Sequence, residues 1–375
     1  MGVSASNPLM NAFAGKTVWL SGHTGFKGSW LGHWLIDLGA EVHGFALEPP
    51  TSPALFDQIE LEKRLHHEIG DVRDVAAVRR SILAAQPDYV FHLAAQAIVR
   101  ESFEQPVETY GTNLMGTIHV LEGLRKLDKP CAAVIVTTDK CYENREWVHG
   151  YREVDRLGGW DPYSSSKAAA EIAVDSWRRS FIQNSSVRVA TARAGNVIGG
   201  GDWARDRMMA DCIRALQDSQ PVPVRNKLST RPWQFVLEPL SGYLWLAAVL
   251  ANPSLRPVDL AVFTSAFNFG PGLESNRTVA ELVCEVLKHW PGTWEDLSDP
   301  RAVHEAQRLN LVTDKAYHLL GWKAAWGFET AVAATVEWYR KATQSAPHEM
   351  AEETSRQIAA YTSSATADGI LWAAG

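Results

Sequence analysis

The first half of the chain alternates short apolar runs with segments of helical periodicity, and this alternation constrains the fold more than any other feature. Strands are predicted at residues 17–20, 41–47, 66–71, 89–93, 132–137 and 187–192. Helices are predicted between them, at residues 27–38, 74–86, 107–127 and 163–183. Strands that alternate with helices form βαβ units with a parallel sheet and helices on both faces. The pattern therefore predicts an α/β fold with a doubly wound parallel sheet.

The second half of the chain is less regular, because glycine, proline, tryptophan and arginine cluster after about residue 199. Helical patterns recur there, and residues 262–269 resemble a strand that returns to the sheet. We expect a main domain over residues 15–198, with returning segments near 232–270, and a smaller C-terminal α/β substrate-binding region over 199–345. The tail, residues 346–375, is rich in Ala, Ser and Thr and is expected to be poorly ordered.

Charge and cysteine content exclude several classes of protein. The net charge is −7 and no long block carries one sign, which argues against a nucleic-acid partner. The four cysteines lie far apart, so neither a disulfide framework nor a metal site is expected, and a reducing cytoplasm fits best. The longest apolar run is shorter than the ~20 residues that span a bilayer, so no membrane is expected.

A glycine-rich turn follows the first predicted strand directly and opens a helix. It reads Gly22-x-x-Gly25-Phe26-x-Gly28. Glycines there permit a tight turn and a close approach of the backbone to a pyrophosphate, and the helix N-terminus offers free N–H groups. The spacing differs from the standard Gly-x-Gly-x-x-Gly, and the alternative is a turn that merely needs glycine. The position between strand and helix favours a Rossmann-type dinucleotide site.

Two polar residues within this turn, His23 and Lys27, could add donors to the cofactor phosphates. A solvated surface position is an equally open interpretation for His23. Near the end of the second strand, Glu48 is the candidate acid for the adenosine ribose, so the chain leans towards NAD over NADP.

The ends of the third and fourth strands offer further cofactor contacts. Asp71 and Val72 end the third strand, where an aspartate could accept a hydrogen bond from the adenine amino group. The competing interpretation is a helix N-cap, at either Asp71 or Asp74. Ala94 and Ala95 end the fourth strand with small side chains that suit the close passage of a cofactor.

Tyr163 and Lys167 are four residues apart in a predicted helix and therefore share one face. A phenol titrates near ~10, and a neighbouring ammonium favours the phenolate. We therefore predict that Lys167 lowers the pKa of Tyr163, so that the phenolate takes a proton from a sugar hydroxyl as hydride leaves its carbon. Thr138, Asp139 and Lys140 end the fifth strand and should face the same crevice, unless they form an exposed turn with an ion pair.

Long motifs resemble the extended short-chain dehydrogenase/reductases and, more narrowly, the CDP-glucose 4,6-dehydratases within the NAD-dependent epimerase/dehydratase family. The similarity covers most of residues 15–340. Its motifs lie at residues 22–31, 138–147, 193–203, 231–234, 237–242 and 268–271.

The resemblance implies NAD as the cofactor, CDP-glucose as the substrate and a lyase reaction that feeds deoxysugars into surface polysaccharide. It implies that Tyr163 takes the proton of the 4-hydroxyl, that Thr138 hydrogen-bonds the forming ketone, and that Asp139 is the acid at O6. Lys140 stands where the related dTDP-glucose dehydratases have a glutamate base for C5. We expect Lys140 to assist elimination, either as a neutral base or by holding Asp139 and the substrate.

Further residues are predicted to bind the substrate. Arginine suits the pyrophosphate because its planar fork matches phosphate oxygens, although surface salt bridges are the alternative role for each arginine. The predicted substrate-binding residues are Gln96, Arg100, Asn196, Arg205, Arg207, Arg231 and Gln234. The resemblance also implies a homodimer or homotetramer built on the helices at 107–127 and 163–183. Two other functions stay open: another nucleotide-sugar dehydratase or 4-epimerase, and a non-catalytic NAD(H)-binding module.

Overall fold

A computed structural model describes residues 7–298 and 309–374 of the chain. Its strands are β1 (Thr17–Ser21), β2 (Glu41–Ala46), β3 (His66–Ile69), β4 (Tyr89–His92), β5 (Cys131–Val136), β6 (Val187–Ala194), β7 (Val197–Ile198), β8 (Val222–Val224), β9 (Thr230–Pro232), β10 (Gln234–Phe235), β11 (Ala266–Phe269), β12 (Asn276–Thr278) and β13 (Trp294–Asp296). Its α-helices are α1 (Pro8–Phe13), α2 (Phe26–Asp37), α3 (Leu55–Gln58), α4 (Val75–Ala85), α5 (Val99–Glu104), α6 (Pro106–Tyr110), α7 (Gly116–Leu124), α8 (Pro162–Trp177), α9 (Met208–Gln217), α10 (Leu237–Ala251), α11 (Leu260–Phe263), α12 (Val279–His289), α13 (Phe328–Ala342) and α14 (Pro347–Ala367).

The central sheet has seven strands within the described ranges, in the order β11-β6-β5-β4-β1-β2-β3, and every neighbouring pair is parallel. This order confirms the predicted α/β fold. The returning strand is shorter than predicted, because α11 takes up its first residues. The side chain of Asp259 caps that helix by accepting the N–H of Ala261. The described residues of the second half also form three short strand pairs, β7 with β10, β9 with β12, and β8 with β13.

Both faces of the sheet are covered, as a parallel sheet requires. Successive residues of a strand point to opposite faces. Val18 and Leu20 accordingly pack into one hydrophobic core, whereas Trp19 between them packs into the other. The strands are thus buried on both sides, and their carboxyl ends are left as the place for a ligand.

The helices beside β5 follow the prediction closely. α6 and α7 are joined by a π-helical turn at Gly111–Met115 and cover the predicted residues 107–127 almost completely. α8 starts at Pro162, which fits the first helical position because proline lacks an N–H, and Asp161 caps it by accepting the N–H of Ser164 at 2.8 Å. α8 packs against α6 and against the 3-10 turn at Asp139–Cys141.

The expectation of a poorly ordered tail is wrong. α14 lies against α2, α3 and α13, and its Tyr361 is fully buried together with Trp372 beyond its end. The hydroxyl of Tyr361 donates a hydrogen bond of 2.7 Å to Glu238 in α10. Large side chains at helical spacing therefore tie this segment to the core despite its small-residue composition. Among the described residues, no helix combines the length and the apolar character needed to cross a bilayer.

Candidate active site

The glycine turn lies directly against the end of β4. Gly22 has a positive φ of +77°, and a Cβ on it would lie 2.7 Å from the backbone nitrogen of Ala94. A Cβ on Gly28 would clash with the carbonyl oxygen of Gly22. The backbone N–H of Gly25 closes the turn by donating a hydrogen bond of 3.1 Å to that same carbonyl oxygen. Gly25 is also the N-cap of α2, where no side chain caps the helix. The turn thus excludes side chains and leaves helix N–H groups for a phosphate.

His23 does not have the solvated surface position that the sequence left open for it. Its ring is fully buried, and its Nε2 lies 2.6 Å from Nδ1 of His67. Burial and the neighbouring His67 lower the pKa of His23 to about 3, so the ring is neutral. The ring fits because Gly44 has no side chain, since a Cβ there would approach it to 2.6 Å. The imidazole therefore packs behind the turn, and only the backbone of His23 stays a candidate for cofactor binding.

Lys27 lies close enough to Arg207, Asp139 and Asp202 for their charges to act on it. Its pKa is lowered to about 8, because burial and the charge of Arg207 outweigh the attraction of Asp139 and Asp202. Arg207 is held by its contacts with the carbonyl oxygen of Ala97, at 3.4 Å, and with the carboxylate of Asp202, at 4.0 Å. Two cations predicted to bind phosphates therefore lie in one electrostatic cluster.

The structure shows which of the two aspartates that follow β3 is the helix N-cap. Asp74 is the N-cap of α4, because its carboxylate accepts the N–H groups of Ala76 and Ala77. Asp71 instead pairs with Arg73, whose Nε donates at 2.8 Å and whose hydrogen bonds lower the pKa of the Asp71 carboxyl. Val72 beside it is buried, and Ala95 is partly buried next to Ala94. Asp71 thus remains the candidate for adenine.

The structure brings Tyr163, Lys167, Thr138 and Asp139 together at the carboxyl end of β5. The hydroxyls of Tyr163 and Thr138 are hydrogen-bonded to each other. Thr138 donates to Oδ1 of Asp139 at 3.0 Å, and Lys167 Nζ donates to the carbonyl oxygen of Val136 at 3.3 Å. A phenol, a hydroxyl and a carboxylate therefore form one chain of polar groups.

The pKa of Tyr163 is raised to about 12 in this structure, whereas the sequence predicted a lowered value. Burial is the main cause and disfavours the phenolate. The hydrogen bond with Thr138 and the charge of Arg207 act in the opposite direction but are weaker, and Asp139 adds to the rise. The pKa of Lys167 is itself lowered to about 8, mainly by burial and then by the charge of Lys27.

Asp139 is almost completely buried, which rules out an exposed turn with an ion pair at this position. Its Oδ2 has no hydrogen-bond partner among the described residues, and it lies beside Gly195. Lys140 is partly buried, and its backbone N–H contacts Thr138 Oγ1 at 3.3 Å. A buried carboxylate oxygen without a protein partner suits a ligand hydroxyl.

Two predicted amide side chains, one buried and one partly buried, carry buried polar atoms that no described residue satisfies. In Gln234 both the Oε1 and the Nε2 atoms are unpaired, and in Gln96 the Oε1 atom is unpaired. Asn113 holds the backbone of Gln96 in place, accepting its N–H at 2.9 Å and donating to its carbonyl oxygen at 3.0 Å. Both glutamines remain candidates for contact with a polar ligand.

The other predicted substrate-binding residues lie nearer to solvent. Arg100 is exposed and forms an ion pair of 2.9 Å with Asp206. Arg205 is exposed, Asn196 is partly buried, and Arg231 donates to the hydroxyl of Ser229 at 2.5 Å. The structure does not bring these groups into direct contact with Tyr163.

Sequence reasoning missed a buried ion pair beside this centre. Glu171 and Arg193 lie 2.8 Å apart, both almost completely buried. Glu171 is four residues beyond Lys167, so helical spacing was the available signal, but the partner on β6 is a tertiary contact that spacing does not reveal.

Comparison with curated proteins gives relatives that span nearly the whole chain. The chain is 45% identical over 337 residues to CDP-glucose 4,6-dehydratase of Salmonella typhimurium, covering 88% of this chain and 92% of the relative. It is 28% identical over 344 residues to a probable dTDP-glucose 4,6-dehydratase of Sinorhizobium fredii, covering 85% and 91%.

Solved structures share the fold. UDP-glucose 4-epimerase of Thermotoga maritima, solved with UDP-glucose, is 22% identical with a TM-score of 0.73, covering 87% of this chain and 99% of that one. A dTDP-glucose 4,6-dehydratase double mutant of Streptomyces venezuelae, solved with NAD bound, is 21% identical with a TM-score of 0.71, covering 86% and 97%. The model of the GDP-mannose 4,6-dehydratase family matches residues 20–335. The chain therefore belongs to the GDP-mannose 4,6-dehydratase family.

Proposed function

We propose that the chain is an NAD-dependent lyase that converts CDP-D-glucose into CDP-4-dehydro-6-deoxy-D-glucose. The observation that carries the proposal is the 45% identity to a CDP-glucose 4,6-dehydratase over 88% of the chain. The arrangement of Tyr163, Thr138 and Asp139 at the end of β5 supports it, because it offers a base for the 4-hydroxyl, a hydrogen-bond donor for the 4-ketone and an acid for O6.

The glycine turn fits the pyrophosphate of NAD. The close approach of Gly22 to Ala94 leaves no room for a side chain on Gly22. The carbonyl oxygen of Gly22 likewise leaves no room for a side chain on Gly28. The N–H groups at the start of α2, from Phe26 onward, would bind the phosphates, and Asp71 would bind the adenine. NAD, when bound, supplies the acceptor for the C4 hydride and the donor of that hydride to C6, and its oxidised form adds a positive charge.

Tyr163 is assigned the role of the base that removes the proton from the glucose 4-hydroxyl. The raised pKa of Tyr163 means that the phenol is protonated at neutral pH in this structure, so a positive charge close to it is needed to make it a base. Arg207 already acts in that direction, as does the hydrogen bond with Thr138. In this assignment the hydroxyl of Thr138 would turn from Asp139 and donate its proton to the oxygen that becomes the 4-ketone.

Asp139 is assigned the acid role at O6. The ketone at C4 would make the C5 proton acidic. Lys140 is assigned to take that proton as the C6–O bond breaks and water leaves, and to return a proton to C5 when C6 is reduced. The buried Oδ2 of Asp139 has no hydrogen-bond partner among residues 7–298 and 309–374, and Asp139 would deliver the proton to the departing oxygen. Lys140 follows it on the same 3-10 turn and would assist at C5. A 4-epimerase needs no acid at O6, so the unpaired oxygen favours dehydration.

The proposal is tested by incubating the protein with NAD⁺ and CDP-, dTDP-, UDP- or GDP-glucose and analysing the products by mass spectrometry. We expect a product that has lost one water, with CDP-glucose as the best substrate. Tyr163→Phe should abolish it, whereas Tyr317→Phe, at an exposed tyrosine, should leave it unchanged. A product of unchanged mass would indicate an epimerase, and no product from any sugar would refute a catalytic function.

We also propose a cytoplasmic homodimer whose product feeds deoxysugars into surface polysaccharide such as O-antigen. The helices α6 to α8 pack together and expose apolar side chains, among them Val107 and Ile172. Exposed apolar side chains on neighbouring helices are typical of a subunit interface. Ile172→Glu should convert the dimer into a monomer in light-scattering measurements, and a wild-type monomer would refute this part of the proposal.

A further inference from the structure

Glu171 lies one helical turn beyond Lys167 on α8, in a buried position that the proposed chemistry does not use. Tyr163, Lys167 and Glu171 follow one another at intervals of four residues, so they share one face of the helix. All three side chains are buried. The helix face that carries Tyr163 and Lys167 therefore also carries the buried carboxylate of Glu171.

The carboxylate of Glu171 is fully satisfied by two elements of the sheet. Its Oε1 accepts the hydroxyl of Thr137 at 2.5 Å and Nε of Arg193 at 2.9 Å. Its Oε2 accepts the hydroxyl of Thr191 at 2.7 Å and a terminal guanidinium nitrogen of Arg193 at 2.8 Å. A buried charge is tolerated when it is paired and hydrogen-bonded in this way, and removing one partner is costly. Glu171 therefore ties α8 to the end of β5 and to β6.

These contacts fix the position of α8 relative to the residues that follow β5. Three successive residues contact three successive turns of the helix, in the pairs Val136–Lys167, Thr137–Glu171 and Thr138–Tyr163. The hydrogen bond between Thr137 and Glu171 has a buried carboxylate as its acceptor. Without the bond between Thr137 and Glu171, α8 could shift relative to β5. The distances within the pairs Val136–Lys167 and Thr138–Tyr163 would then change.

Arg193 extends the same network to the turn that carries Asp139. It donates to the hydroxyl of Tyr142 at 2.7 Å, and its guanidinium carbon lies 4.9 Å from the centre of that ring. Tyr142 follows the 3-10 turn at Asp139–Cys141 directly and donates in turn to Asn268 in β11 at 2.7 Å. One ion pair therefore supports both sides of the candidate active site.

We propose that Glu171 is a positioning residue that holds Tyr163 and Lys167 against Thr138 through its contacts with Thr137, Thr191 and Arg193. The proposal rests on the proposed dehydratase function. Its charge has a second effect, because Glu171 raises the pKa of Lys167 against the effects of burial and of Lys27. Loss of the charge should therefore lower the pH at which Lys167 loses its proton.

The test uses three variants on one helix, each assayed as the full-length protein with NAD⁺ and CDP-glucose. Glu171→Gln keeps the shape of the side chain but removes its charge. Glu171→Asp keeps the charge but is too short to reach all four donors. Asp175→Asn is the matched control, because it removes a half-exposed carboxylate one turn further along α8 that pairs with the exposed Arg179 and the largely buried Arg178. The kcat, the KM and the pH profile of kcat are measured, with thermal melting as a check of folding.

We expect Glu171→Gln to reduce kcat by about 100-fold with little change in KM, since small displacements of reacting groups have effects of that order. We also expect the alkaline limb of its pH profile to move down by about one pH unit. Glu171→Asp should reduce kcat by about tenfold with the limb unmoved, and Asp175→Asn should match the wild type.

The proposal is overturned if Glu171→Gln folds and keeps the wild-type kcat and pH limb while only its melting temperature falls. If that variant does not fold, Glu171→Asp decides, and a wild-type kcat in it overturns the proposal equally. Failure of the proposed function gives a different result, because the wild-type protein itself would then not turn over CDP-glucose.

Discussion

A methyl group added at Gly195 should slow elimination without destabilising the protein. An alanine Cβ at this position would lie 2.8 Å from Oδ2 of Asp139, whereas its other close neighbours, Asp139 Cγ at 3.4 Å and Pro232 Cγ at 3.6 Å, are at ordinary contact distances. The φ angle of Gly195 lies outside the positive region, so alanine adds no backbone strain. The carboxylate must therefore move by about 0.6 Å to restore a contact of 3.4 Å.

The displaced atom is the end of a side chain, so the effect on folding should be small, within about 1 kcal/mol. The effect on catalysis should be larger, because a misplacement approaching 1 Å can cost up to about 100-fold. We expect Gly195→Ala to reduce the overall rate by about tenfold, measured by the absorbance of the 4-keto sugar in base. Oxidation at C4 does not need Asp139, so NADH should still form at the wild-type rate in a single turnover.

Gly327→Ala is the matched control, because a Cβ at that position has no atom within 4 Å. It should leave both rates unchanged. A wild-type overall rate in Gly195→Ala would show that the position of the Asp139 carboxylate does not matter for elimination. A large fall in unfolding free energy would instead show that the steric reasoning about a flexible side-chain end is wrong.

Three further predictions concern other parts of the molecule. Lys140→Met should reduce turnover by at least about tenfold, and near-normal turnover would refute a role in elimination. Burial raises the pKa of Glu238 to about 7, so the carboxyl binds its proton more tightly when folded. Its contribution to stability is full below the unfolded pKa near 4.5 and is lost as the pH rises to about 7, by roughly 3 kcal/mol. Glu238→Gln should flatten the pH dependence of urea unfolding over that interval, and an unchanged slope would contradict the assignment. Trp372→Ala should reduce the unfolding free energy by about 3–5 kcal/mol, because this side chain is fully buried. Leu371→Ala, at a partly exposed neighbour, should have a much smaller effect, and equal effects would contradict the packing of the C-terminal segment.

The sequence predicted the parallel sheet because its evidence is local. Apolar runs and the glycine turn at Gly22 act over a few residues, and the structure has the strands and α2 within a few residues of their predicted positions. The C-terminal helix was missed because its average composition masked its periodicity. Its buried residues Met350, Ile358, Tyr361 and Ala365 recur at helical spacing, which was the signal that could have revealed it.

The chemistry of the site was less predictable, since it depends on burial. Spacing placed Tyr163 and Lys167 on one helix face, but the pKa of the phenol is set mainly by the low-dielectric surroundings, which no spacing reveals. The ring of His23 is buried because Gly44, on the neighbouring strand, leaves space for it. The partnership of Glu171 with Arg193 likewise joins two elements, and only the folded chain shows it.

The central claim is that hydride leaves C4 and returns to C6 of the same sugar while one water is lost. The most direct measurement supplies CDP-glucose carrying deuterium at C4, together with unlabelled NAD⁺, and locates the label in the product by NMR and mass spectrometry. The account predicts a 6-deoxy product with the deuterium at C6. Deuterium retained at C4 in a product of unchanged mass, or a product without deuterium, would contradict it.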